Sequence, residues 1–256
     1  MYGAIIGDIV GSRFEYENIK TKDFELFHKD CEFTDDTIMT LAVCDALESC
    51  QGDYSNLKDV LIKAFHETYR HYPNADYGLR FRKWLMNREN EPYNSWGNGA
   101  AMRVSPCGWF ADSLEEAKAL SHTVTAVTHN HPEGLKGAEA TAVAIYLGRA
   151  GFSKDYIREV ITRDYYPIDF TLNQIRPFYR FNESSQGTVP FALAAFFEST
   201  SFEDAIRNAV SLGGDCDTLT AITGSVAEAF YGIPEEMIDK ANEYLDQRSL
   251  AILSRV

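Results

Sequence analysis

Apolar residues recur along this chain at helical spacing. From Thr37 onward, Ile38, Met39, Leu41, Ala42, Val43, Ala46 and Leu47 fill one wide face at intervals of three and four. The same period predicts helices over 57–69, 114–122, 132–147, 189–197, 202–212, 219–230 and 234–245. Boundary residues agree with this reading. Ser201 stands before Phe202-Glu203-Asp204 as an N-cap with an acidic first turn, and Ser113-Leu114-Glu115-Glu116 has the form of a capping box. Pro132, Pro190 and Pro234 sit where a first helical turn tolerates proline. No alternating pair of strands with a tight turn occurs. Asn98-Gly99 leads into Ala100-Ala101-Met102, which is not a returning strand. With no repeat, linker or charge block to divide it, the chain is expected to form one all-α domain over residues 1–256. The least regular stretches are 18–33, 72–98 and 165–187, and loops of that length in a compact domain are often functional.

The N-terminal segment carries a second pattern. Gly3, Gly7 and Gly11 are four apart, which predicts a bare helix face that another backbone can approach closely. Asp8, Ser12 and Glu15 follow at i, i+4 and i+7, so the same helix is expected to turn three polar groups one way. Asp8 is then either an exposed polar-face residue or a buried carboxylate.

Charge narrows the partners. The formal net charge is −14, the reverse of what a broad phosphate-binding surface requires, so no nucleic-acid surface is expected. The five cysteines, Cys31, Cys44, Cys50, Cys107 and Cys216, form no CxxC and are read as reduced thiols without a zinc site. The opening run lacks a basic leader and is broken at Asp8, which predicts no signal peptide. No apolar run approaches the roughly 18 residues of a membrane helix. A cytoplasmic protein that does not enter a membrane is the expectation.

Two short clusters concentrate the chemistry. Thr34-Asp35-Asp36-Thr37 precedes one helix, and Gly213-Gly214-Asp215-Cys216-Asp217-Thr218 opens another. Each alone also fits a helix cap. Together they offer four carboxylates and threonine oxygens, more than two caps need. Adjacent carboxylates repel unless a cation shares them. Oxygen donors without a Cys/His set point to magnesium, manganese or calcium, and four carboxylates suit two ions. An EF-hand loop is excluded, because Ala46 and Val226 stand where its closing Glu belongs. Ser95-Trp96-Gly97-Asn98-Gly99-Ala100-Ala101-Met102-Arg103 combines small residues and amides, a backbone that a ligand can approach closely. Thr128-His129-Asn130-His131-Pro132 holds two of the six histidines, which also fit a cap or core role.

These pieces, in this order, resemble the ADP-ribosylglycohydrolase family, which includes the dinitrogenase-reductase-activating glycohydrolases. The matching segments are 3–15, 33–37, 97–103, Thr128-His129 and 211–218, so they span almost the whole chain. The resemblance implies an orthogonal helical bundle with a dinuclear centre of two Mg²⁺ or Mn²⁺. It implies Thr34, Asp35, Asp36, Asp215, Asp217 and Thr218 as metal ligands. It does not single out the aspartate that bridges the ions; Asp217 is the one expected here. Asp36, Glu15 and Asp217 take the catalytic roles. Glu15 matches a residue that is a ligand or a gate in relatives. Ser95, Gly97, Asn98 and His129 match positions lining an ADP-ribose cleft, and Gly78 matches a glycine loop near the diphosphate. The implied reaction frees an ADP-ribose-modified protein or small acceptor, with arginine favoured. An ADP-ribose sensor without turnover and a two-metal phosphoesterase or nucleotide hydrolase are the alternatives. A monomer is expected. Trp96, Cys216 and His131 depart from the family pattern without removing an implied ligand, and the chain is short for the family.

Overall fold

In the computed structural model, which describes residues 1–255, helix α1 (Tyr2–Ser12) lies antiparallel to α12 (Cys216–Tyr231), backbone against backbone. The glycine stripe is the cause. A Cβ at Gly3 would stand 2.2 Å from the Gly224 carbonyl oxygen, and one at Gly7 would stand 2.2 Å from that of Thr220. At Gly11 it would stand 2.6 Å from Asp217 Cα. Only three residues without side chains, facing Asp217, Thr220 and Gly224, let the two axes come this near. The contact fixes where Asp217 sits relative to α1.

Around this pair pack α2 (Asp35–Ser49), α3 (Leu57–His71), α4 (Leu79–Met86), α5 (Ser105–Phe110), α6 (Leu114–Ala126), α7 (Pro132–Arg149) and α8 (Lys154–Asp164). They are followed by α9 (Leu172–Ile175), α10 (Ser185–Phe197), α11 (Phe202–Val210), α13 (Glu235–Asn242) and α14 (Gln247–Leu253). The fold is all-α. Among the described residues the only β pairing is a single bridge between Gly97 and Ser184. Two core regions form. One joins α1, α7, α8 and α10–α12, and the other joins α2–α6. Alanines along α7 enter both, and Phe33, Phe110 and Tyr146 pack against both. No described helix is long and apolar enough to cross a membrane.

Several boundaries differ from expectation. Helix α1 ends at Ser12, so Glu15 lies beyond it in a bend and does not share a face with Asp8. Ser12 is also turned elsewhere: its hydroxyl donates to the Ile9 carbonyl and accepts from Glu32 N. Helix α10 begins at Ser185, four residues before the predicted start. Ser184 caps it by accepting from Gly187 N at 3.1 Å, which leaves Pro190 inside the helix and not in its first turn. The polar run Ser184–Gln186 with Gly187 concealed that turn from an apolar-period reading. Helix α11 stops at Val210, ahead of the Gly213-Gly214 turn. The Ser113 capping box is half formed. Ser113 accepts from Glu116 N, but the Glu116 carboxylate accepts from Asp112 N. The apolar period does not mark helices α4, α5, α8, α9 and α14. Each buries four or fewer side chains, too few for a clear period.

Candidate metal centre and cleft

The site begins with Asp8, in the middle of α1 and 0% exposed. Its carboxylate accepts from Thr34 N at 2.9 Å, Thr34 Oγ1 at 2.7 Å and Thr37 N at 3.0 Å. Asp8 thus takes up donors at the start of α2, Thr37 N among them. It anchors the first cluster to α1. Thr34 in turn caps α2 by accepting from Asp36 N at 3.2 Å. The simple cap reading therefore holds for Thr34, with Asp8 as an additional clamp. Asp35 and Asp36 are left free of capping work.

The second cluster is set by a turn that only glycine adopts readily. Gly213 and Gly214 have φ of +64° and +81°. The Asn18 side chain grips this turn: its Oδ1 accepts from Gly214 N at 2.6 Å, and its Nδ2 donates to the carbonyls of Gly214, Phe14 and Glu15. One amide thereby ties the Glu15 backbone to the loop carrying Asp215. Asp215 occupies the N-cap position of α12 but makes no cap hydrogen bond. Its carboxylate instead accepts from Asn98 Nδ2 at 2.7 Å, and that same amide donates to Thr188 Oγ1 at 3.0 Å.

The clusters meet. Thr218 Oγ1 donates to Asp36 Oδ2 at 3.2 Å, and Thr34 Oγ1 lies 3.5 Å from Asp217 Oδ2. Glu15, Asp215 and Asp217 each bring a carboxylate oxygen to within 4.8 Å of the other two. Asp36 Oδ1 and Asp217 Oδ1 are buried and have no hydrogen-bond donor. Burial first, and then the charge of Asp217, push the Asp35 and Asp36 carboxyls up. Burial and then Asp215 push Asp217 up, and burial followed by Asp217 raises Glu15 to about 7. Among the described residues no cationic side chain forms an ion pair with these acids. Orphaned buried carboxylate oxygens facing like charges are what a shared divalent cation would satisfy, so the residues present fit one.

The centre forms the floor of a cleft of about 370 Å³. Of the residues singled out from sequence, Glu15, Asp35, Asp36, Asp215, Asp217, Thr218, Gly78, Ser95, Gly97, Asn98 and His129 line it. Thr34 is behind this lining, held on Asp8. A Cβ at Gly78 would meet nothing, so packing does not demand glycine there. The 95–100 loop is pinned by the segment leading into α10. Asn98 N donates to the Glu183 carbonyl at 2.8 Å, Ser185 N to that of Trp96 at 2.9 Å, and Ser185 Oγ to that of Gly97 at 2.9 Å. His129 is 4% exposed, and burial first, then the Arg103 and Arg80 charges, hold it well below the usual histidine range. His131 caps α7 by accepting from Glu133 N. Sequence reasoning missed Asp8 as the anchor, Asn18 as the clamp, Arg103 as a buried cation at the cleft, and Asp76, Arg80, Phe181 and Glu183 as lining. Asp8 carried a signal, a lone acid in an apolar helix. Arg103 ends the 97–103 run but gave no sign of burial, Arg80 sits in the unmarked helix α4, and Asn18, Asp76, Phe181 and Glu183 lie in irregular segments that carried no signal.

Comparison with known proteins agrees with this geometry. The sequence model of the family described as ADP-ribosylglycohydrolase matches residues 1–255. The ADP-ribosylarginine hydrolase Tri1 of Pseudomonas putida (strain GB-1) is 29% identical, over 94% of this chain and 72% of its own. The ADP-ribosylhydrolase ARH3 of Gallus gallus is 23% identical, over 90% of this chain and 83% of its own. A solved structure titled ADP-ribosylglycohydrolase-related protein complex superposes with a TM-score of 0.74 at 23% identity, covering 99% of this chain and 94% of that one. The chain belongs to the ADP-ribosylglycohydrolase family and is a hydrolase of glycosidic bonds.

Proposed function

We propose that this protein hydrolyses the bond between the anomeric carbon of ADP-ribose and an acceptor nitrogen or oxygen, an arginine guanidinium by preference. In this reading it uses two divalent ions, magnesium or manganese. The observation that carries the reading is the pair of buried, donorless oxygens, Asp36 Oδ1 and Asp217 Oδ1, at the floor of a cleft. Thr34, Asp35 and Asp36 would hold the ions from one side, and Asp215, Asp217 and Thr218 from the other. When bound, the ions supply Lewis acidity toward the ribose hydroxyls and toward water.

The chain's own groups do the rest. Asn98 fixes the Asp215 carboxylate, and Thr218 fixes that of Asp36, so the acids meet the substrate in one orientation. The carboxylates of Asp36 and Asp217 stabilise the positive charge that grows on the anomeric carbon as the glycosidic bond lengthens. Glu15 stands at the cleft wall, where in the ion-free site burial and the Asp217 charge raise its carboxyl to about 7. Its carboxylate takes a proton from the attacking water, whose oxygen bonds to the anomeric carbon. The glycosidic electron pair leaves with the guanidine nitrogen, which receives the proton that Glu15 took from the water. Ser95, Gly97, Asn98, His129 and Gly78 line the space for the rest of the nucleotide.

The arginine preference rests on two supports. Glu15, Asp35, Asp76 and Glu183 make the cleft acidic, which suits a cationic acceptor, and the Pseudomonas relative is named for ADP-ribosylarginine. The modified partner is a protein or a small acceptor. The five free cysteines are consistent with a cytoplasmic setting. The test is the release of intact ADP-ribose from ADP-ribosylarginine by ion-stripped protein after magnesium is restored. The Asp35→Ala/Asp36→Ala protein is expected to be inactive, and unchanged turnover in it contradicts the metal-centred account. Release of AMP or phosphate would point to a phosphoesterase. Tight ADP-ribose binding without turnover on any acceptor would point to a sensor.

A further inference from the structure

Arg103 is a buried guanidinium in the cleft wall. It is 0% exposed and has no salt bridge among the described residues. Its charge rests on the rings of Phe65 at 4.7 Å and Phe81 at 5.2 Å. Its hydrogen bond, from Nη2, goes to Thr128 Oγ1 at 2.7 Å, and the same oxygen lies 2.7 Å from His129 Nδ1. Thr128 is fully buried.

The direction of this chain follows from valence. A guanidinium only donates, so Thr128 Oγ1 accepts from Arg103. The hydroxyl has one proton, and the acceptor within its reach among the described residues is His129 Nδ1. If Nδ1 carried its own proton, the hydroxyl proton would be buried and unpaired, costing about 1–3 kcal/mol. Thr128 therefore donates, Nδ1 accepts, and the imidazole proton lies on Nε2. That nitrogen makes no hydrogen bond among the described residues. It faces Gly97 and Gly99, 3.6 Å from where either Cβ would stand, in the cleft wall. A neutral ring is also what the burial of His129 beside two arginines favours.

We propose that Arg103 and Thr128 form a relay that locks His129 in the Nε2–H tautomer, so that it donates a hydrogen bond to an acceptor oxygen of the bound ADP-ribosyl substrate. Arg103 and Thr128 are positioning residues, and His129 is the group that touches substrate. The relay itself stands on hydrogen-bond directions alone. Its use on an ADP-ribosyl ligand rests on the function proposed above.

The experiment separates the two. Long-range ¹H–¹⁵N correlation on ¹⁵N-histidine-labelled protein without ligand reads the tautomer directly. The wild type is expected to show a protonated Nε2 and an accepting Nδ1 on His129. An Nδ1–H tautomer or an imidazolium at pH 7 overturns the relay. Thr128→Val is expected to lose the single tautomer and to weaken ADP-ribose binding by about 5–10-fold, the loss of one hydrogen bond. Thr128→Ser is expected to restore both. Wild-type affinity in Thr128→Val, or failure of Thr128→Ser to restore the tautomer, overturns the proposal. If the wild-type protein does not bind ADP-ribose, the assigned ligand is wrong, while the tautomer measurement still decides the relay. Should Thr128→Val not fold, the wild-type spectrum and the Thr128→Ser variant decide it.

Discussion

Replacing Gly11 with alanine tests the link between the helix pairing and the site. The added Cβ would meet Asp217 Cα and the Cys216 carbonyl oxygen at 2.6 Å, and Asp217 N at 2.9 Å. All three are backbone atoms, so no rotamer change relieves the clash. Reaching 3.4 Å, an ordinary contact, requires α1 and the start of α12 to part by roughly 0.8 Å. Overpacking of this kind costs about 1–3 kcal/mol, reduced by the better helix propensity of alanine. For a chain of this size that is a fall in Tm of about 2–10 °C. The same displacement moves Asp217 relative to Asp36 and Glu15, and misplacement near 1 Å costs a catalytic site on the order of 100-fold. Gly3→Ala is the control. Its Cβ would stand 2.2 Å from the Gly224 carbonyl oxygen, at the far end of the same pairing. Both variants are expected to lose stability in a thermal melt. At a temperature where both are folded, Gly11→Ala is expected to lose about 30–100-fold in kcat/KM for ADP-ribose release, and Gly3→Ala less than about 3-fold. Equal losses of activity in the two, or a Gly11→Ala protein with wild-type Tm and rate, would refute the reasoning.

Other perturbations read other parts of the account. Asp8→Asn keeps the shape but offers one acceptor oxygen to the three donors of Thr34 and Thr37, so a loss of about 1–3 kcal/mol in denaturant unfolding is expected; unaltered stability would contradict the anchoring role. Asn98→Ala leaves the Asp215 carboxylate without its donor, and weaker divalent-ion binding with the fold retained by circular dichroism is the expected result. The raised carboxyls set a pH dependence. Burial lifts Glu15 from 4.5 to about 7, so between those values the folded ion-free protein binds more protons than the unfolded chain. Its stability therefore falls as pH rises through that window, and Asp35, Asp36 and Asp217, also raised, add to the fall. A divalent ion replaces those protons, so the rise in Tm on adding magnesium is expected to be larger at pH 8 than at pH 5; an equal rise at both would contradict the shared-cation reading.

The sequence disclosed the parts of this molecule that depend on local pattern. The period of α2 and α7, the glycine stripe of α1 and the two Asp/Thr clusters are all readable without coordinates, because each places its meaning within a few adjacent residues. What stayed hidden depends on residues distant in the chain. Asn18 acts across 196 positions on Gly214, and Asn98 across 117 on Asp215. Asp8 was ambiguous because its three donors belong to α2. The face shared by Asp8, Ser12 and Glu15 failed for a local reason: the helix ends at Ser12, and helical spacing has no meaning beyond that point. Helix α10 was misplaced because its first turn is built from polar residues that serve the site, with Ser185 and Thr188 bonded to the 97–98 loop.

The central claim is that the two clusters exist to share a pair of divalent ions. Electron paramagnetic resonance of the ion-stripped protein titrated with Mn²⁺ tests it most directly. The account predicts uptake of two ions per chain with an exchange-coupled spectrum, and loss of that coupled signal in Asp36→Asn and in Asp217→Asn. Uptake of no ion, or of a single uncoupled ion that survives both substitutions, would contradict it.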